Sequence, residues 1–104
     1  RVVIAAFRPK PGRADGLLQI VQRHHAVLVG QGLVTDRPRI VMRAADGTLI
    51  EVFEWRSAEA IEQAHADPTV QALWREFEAV CEYVPIGSVA EAGRMFSEFE
   101  PVNS

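Results

Sequence analysis

The chain has one cysteine, one tyrosine and one asparagine among its 104 residues. The lone Cys81 excludes an internal disulfide framework and any all-cysteine metal site. No apolar run approaches the length that spans a bilayer, and the first residues show no signal-peptide pattern. The basic residues are scattered, eleven against fourteen acidic ones for a net charge of −3, so no nucleic-acid footprint is visible. Internal repeats, low-complexity tracts and linkers are also lacking. What remains is 48% apolar and 24% charged residues, the composition of one ordinary globular domain over 1–104. These observations predict a cytoplasmic domain whose partners are neither nucleic acid nor membrane.

The periodicity changes several times along the chain. Val2 to Phe7 is a short apolar run closed by Arg8-Pro9-Lys10-Pro11-Gly12, which predicts a strand over 2–8. Over 13–31, Leu17, Ile20, Val21, His24 and Leu28 recur at three- and four-residue spacing, one face of a helix, with Gly30 and Gly32 as a left-handed cap. Asp46-Gly47 between two β-type runs signals a hairpin. A two-residue turn would place Arg39 opposite Glu54, Val41 opposite Val52 and Arg43 opposite Ile50. Ile40, Met42, Leu49, Glu51, Phe53 and Trp55 would then share the other face. Ser57 and then Asp67-Pro68 are helix starts, the second opening a stripe of Val70, Leu73, Trp74, Phe77, Val80 and Cys81. Tyr83–Val89 reads as a last strand, interrupted by Pro85. Residues 90–104 read as a C-terminal tail or extra strand.

The order β-α-β-β-α-β predicts an α+β domain of the ferredoxin-like, split βαβ kind, an antiparallel sheet with its helices on one face. The uncovered face needs a partner, and a second copy of the same sheet predicts a homodimer. Phe96 and Phe99 in the tail are expected at that contact.

Glu51-Val-Phe-Glu-Trp55-Arg-Ser-Ala-Glu-Ala60, followed by His65 and Asp67-Pro68, resembles the antibiotic biosynthesis monooxygenase (ABM) domain family, whose members are dimeric α+β barrels. Lys10-Pro11-Gly12 and Gly30-Gln31-Gly32-Leu33 also look like family features. The resemblance implies a cofactor-independent monooxygenase-like oxidoreductase acting on a small aromatic or enolisable substrate. Alternatives on the same fold are a non-catalytic, small-ligand-binding or stress-related module, and a cofactor-free isomerase or decarboxylase. Haem degradation ranks lower, because the first strand lacks the asparagine that such members use.

Trp55 matches the family's landmark tryptophan, which in quinone-forming members lines the pocket and orients a phenolic ring; the plainer reading, that it anchors the sheet–helix junction, is favoured. Glu51, on the same strand face, is a candidate general base if its neighbours Met42, Phe53 and Trp55 exclude water, or else a salt-bridge partner for an arginine. His65 matches the family's helix histidine and could shuttle a proton or simply pack. Phe53 stands where the family often has a glutamate, and Ile61 where quinone-forming members have a tyrosine. Tyr83, the sole phenol, could substitute from the last strand. Adjacent helical residues diverge by about 100°, so His24 and His25 are not expected to grip one metal. One of them, His24 in this reading, faces the pocket opposite Glu51, leaving the other at the surface. No metal site or bound cofactor is expected. Arg75 is expected in solvent and Cys81 as a buried thiol.

Overall fold

The computed structural model describes residues 1–102. Strand β1 (Val2–Pro9) leads through a turn at Gly12 into helix α1 (Ala14–Gly30). The hairpin follows as β2 (Ile40–Arg43) and β3 (Leu49–Glu54), then helices α2 (Ala58–Ala66) and α3 (Pro68–Val80), then β4 (Cys81–Val84). A fifth strand, β5 (Glu100–Pro101), adds to the edge of β2. The sheet is antiparallel throughout, in the order β4-β1-β3-β2-β5, so β3 lies at its centre.

Helix ends follow local chemistry. The N–H of Leu33 bonds the carbonyl of Leu28 and that of Gly32 the carbonyl of Val29. This double closure needs a left-handed residue, and Gly32 supplies it at φ 71°. Gly30 remains helical, so only one of the two expected glycines turns the chain. Ser57 Oγ accepts from Ala60 N at 3.1 Å, and Asp67 Oδ1 accepts from Thr69 N and Val70 N at 2.8 and 3.3 Å. The Asp67 cap with Pro68 behind it breaks what would be one helix into α2 and α3.

The hairpin differs from expectation by one residue. Val41 pairs with Glu51, Met42 with Ile50 and Arg43 with Leu49. The loop has three residues: Ala44 N bonds the Thr48 carbonyl, and Gly47 takes φ 92° after the turn. A turn followed by a positive-φ glycine forms a bulge and shifts the register. Val41 therefore joins Leu49, Glu51 and Phe53 on the helix-covered face, and Ile40 and Met42 move to the other. Arg39 correspondingly meets Glu51, while Glu54 pairs with Arg37.

The core under the helices has two adjoining parts. Phe7, Leu17, Ile20, Val21, Val41, Leu49, Leu73, Phe77 and Cys81 form one. Leu28, Leu33, Val34, Phe53, Trp55, Ala60, Ala64 and Val70 form the other. The last strand ends at Val84, before Pro85, and not at Val89: residues 86–88 and 90–93 form short 3₁₀ turns. These turns cross the opposite sheet face, where Val89 packs with Ala6, Ala44 and Ile50. Buried Glu91 fixes them by accepting the N–H of Ala45 at 2.7 Å. Phe99 also packs there, within its own chain, whereas Phe96 is exposed. Among the described residues no helix is long and apolar enough to cross a membrane. The end of the tail, 103–104, lies outside the described residues.

Candidate functional site

Glu51 sits in the middle of the central strand with no exposed surface. A carboxylate so placed is tolerated only if its oxygens are satisfied, and each has one partner. Oε2 accepts from Arg39 Nη1 at 2.7 Å, and Oε1 lies 2.6 Å from His24 Nδ1. Arg39, just before β2, also donates to the carbonyls of Val21 and Gln22, so one guanidinium ties α1 to the sheet. The carboxylate can only accept from the imidazole, so Nδ1 carries the proton. The remaining nitrogen, His24 Nε2, is buried and has no hydrogen-bond partner among the described residues.

Three aromatic rings hold that imidazole. Its centroid lies 5.1 Å from Phe77 and 5.7 Å from Phe53, both nearly perpendicular, and 6.5 Å from Phe7. Phe7 and Phe77 stack at 4.7 Å. These side chains belong to β1, β3 and α3, and with Val3, Ala5 and Trp55 they line a cavity of about 280 Å³. His24 lines the same cavity. Trp55 directly follows the strand there, bridged to Val34, with its ring 5.2 Å from Phe53. The polar groups of the lining are few: His65, Glu78 and Tyr83 besides His24. His65 is exposed and its ring lies 5.0 Å from Trp74, which also lines the space. The Tyr83 hydroxyl donates to the Trp74 carbonyl at 3.3 Å, and burial pushes its pKa up to about 12. A Glu-oriented imidazole that lines an aromatic cavity and has an unpartnered nitrogen can accept one proton or one hydrogen bond.

The structure thus brings Trp55, Phe53, His24, His65 and Tyr83 to one cavity. Glu51 does not line it: the carboxylate acts on it through His24, and Arg39 and His24 occupy both its oxygens. That arrangement removes Glu51 as a free base. Met42 lies on the opposite sheet face, in a separate cavity with Ile4 and Phe99, because of the one-residue slip. Ile61, half-buried on α2, packs on the core around Phe53 and Trp55 without reaching the cavity. Sequence reasoning missed Arg39 as the partner of Glu51. The signal was present, since Arg39 lies twelve residues from Glu51 across a hairpin, but it required the three-residue loop. Phe7, Phe77 and Trp74 were legible as apolar residues and not as a cavity wall.

His25 is half-buried, and not a surface residue. Its pKa is held below the usual 6.5 first by burial and then by the Arg39 charge, with Glu51 opposing. Arg75 is exposed, and burial raises the Cys81 thiol to about 11. Among the described residues no three histidine, cysteine or acidic side chains gather as a metal site. No family model matches the chain, and neither a curated protein nor a solved structure matches it.

Proposed function

We propose that the chain is a ferredoxin-like domain of the ABM type that works as a cofactor-independent oxidoreductase on a small aromatic or enolisable substrate. The observation that carries this reading is the Glu51–His24 pair, with Nε2 unpartnered at an apolar cavity. The base is His24; Glu51 is a positioning residue that fixes its tautomer and balances the imidazolium formed on proton uptake. A phenolic or enolic O–H beside Nε2 gives up its proton, and Trp55 and Phe53 orient the ring. The resulting anion passes one electron to molecular oxygen, and the radical pair recombines to a hydroperoxide at carbon. Loss of water leaves a carbonyl, so a CH₂ group and O₂ become C=O and H₂O without an external reductant. The aromatic lining excludes water from the anion during these steps.

The sheet face opposite the helices supports the homodimer. Val2, Ile4 and Ile40 lie there 61, 51 and 58% exposed. A second copy seated on them would cover this face.

Oxygen uptake by the purified protein against hydroquinones and naphthols tests the reading. Removing a general base reduces rate by about 10²–10⁴-fold, so uptake should fall by that factor in His24→Gln. Glu51→Gln should lose rate with little change in KM. Full uptake in a folded His24→Gln variant overturns the assignment. Saturable binding of a naphthol without uptake favours the binding module, a reading supported by the largely apolar, aromatic lining of the cavity.

A further inference from the structure

His25 follows His24 on α1 and is rotated from it by about 100°. It lines a different and larger cavity, of about 790 Å³, that no step above uses. Val29, Val34 and Pro38 give this cavity an apolar wall, and Arg37, Arg39 and Arg56 bring three of the chain's arginines to it.

These arginines are not equally engaged. Arg39 is held by Glu51 and two helix carbonyls. Arg37 binds Glu54 through Nε at 3.2 Å, and its two terminal nitrogens make no hydrogen bond among the described residues. The exposed Arg56 side chain has no partner among the described residues; one of its terminal nitrogens stands 3.8 Å from where a Cβ on Gly32 would lie. His25 Nε2 is buried and likewise unpartnered. One lining residue, Asp36, is acidic. Free planar donors match a carboxylate, which a guanidinium binds through two parallel hydrogen bonds. The negative charge of Asp36 disfavours a dianion, and the apolar wall suits an organic body.

We propose that this cavity binds an organic monocarboxylate, its carboxylate on Arg56 and Arg37 beside His25 and its apolar part against Val29, Val34 and Pro38. The site is separate from the aromatic cavity, and the two proposals stand or fall independently.

Benzoate is the probe, titrated into the full chain while the imidazole signals of His25 are followed by NMR, with benzamide as the neutral isostere. The expected result is a saturable shift with benzoate, none with benzamide, and a rise in the His25 pKa as the carboxylate offsets the arginine charge. Arg56→Gln, an exposed change, should weaken binding by about tenfold or more. Val29→Glu, also at an exposed position, should abolish it by placing a like charge on the wall. Equal binding of benzamide, the same shift with chloride at matched ionic strength, or unchanged affinity in Arg56→Gln overturns the proposal.

Discussion

Replacing Arg39 by methionine tests the architecture around Glu51 most directly. The Arg39 side chain is 9% exposed and that of Glu51 not at all, and their contact is 2.7 Å. Arg39→Met keeps most of the aliphatic bulk, removes the donors to Glu51 and to two α1 carbonyls, and leaves a buried carboxylate with His24 as its sole partner. Removing one member of a buried ion pair costs about 3–5 kcal/mol, because the remaining charge stays desolvated. Set against a total of about 5–15 kcal/mol for a domain, that is about a fifth or more of the stability. At about 4–8 °C per kcal/mol for a chain near this size, the melting temperature should fall by at least about 12 °C. Urea unfolding at pH 7 and one fixed protein concentration measures the free-energy loss, and a thermal melt the temperature shift; the concentration is fixed because dimerisation would make stability concentration-dependent. The double variant Arg39→Met/Glu51→Leu removes both charges and should recover most of the loss, since an apolar pair of similar volume is often as stable. A single-variant loss under about 1 kcal/mol, the range of exposed pairs, would refute the buried pair. Strict additivity of Arg39→Met and Glu51→Leu would show that the two side chains do not interact.

Three further outcomes follow from local geometry. His25 has a folded-state pKa below 6.5, so the unfolded chain binds its proton first; its stabilising contribution is complete above about pH 6.5 and is lost as pH falls through the lowered value. Comparing urea midpoints of wild type and His25→Gln between pH 7 and 5 should show a shallower decline in the variant. Gly47 holds φ 92° in the hairpin bulge with ordinary space for a Cβ, 3.8 Å from Pro9. Gly47→Ala should therefore cost about 1 kcal/mol, by urea titration, through backbone strain alone. Cys81, raised to about 11 by burial, should resist iodoacetamide at pH 8 in the native state and react promptly in urea.

Features that depend on a few neighbouring residues were readable in the sequence. The Ser57 and Asp67 caps, the Pro68 start and the stripe from Val70 to Phe77 are set within single turns of helix, and the structure has them where the spacing placed them. The hairpin was not so readable, because Asp46-Gly47 is compatible with a two-residue turn and with a three-residue loop closing on a positive-φ glycine. The two choices differ by one residue, and side chains alternate at every residue of a strand. That single ambiguity misplaced Met42 and misassigned Arg39 to Glu54. The Glu51 face survived it because β3 is read on its own alternation, Leu49, Glu51, Phe53. Pro85 was seen to interrupt the final strand. That it ends the strand depends on Glu91 and Val89 drawing residues 86–93 over the sheet, a long-range effect with no local signature.

The same slip explains why Glu51 cannot be considered apart from its neighbours. With Val41 opposite Glu51, Arg39 lies two residues along the same face of its strand, where the guanidinium reaches both the carboxylate and the Val21 and Gln22 carbonyls. A buried carboxylate is tolerated where its oxygens are satisfied by donors. Arg39 supplies one of the two donors that hold Glu51 against His24, and it does so from the wall of the second cavity. One helical step separates His24 in the aromatic cavity from His25 in the arginine-lined one. One arginine stands between them, hydrogen-bonded to the partner of the first and, after burial, helping to depress the pKa of the second. The surroundings of either histidine are thus tied to the position of Arg39.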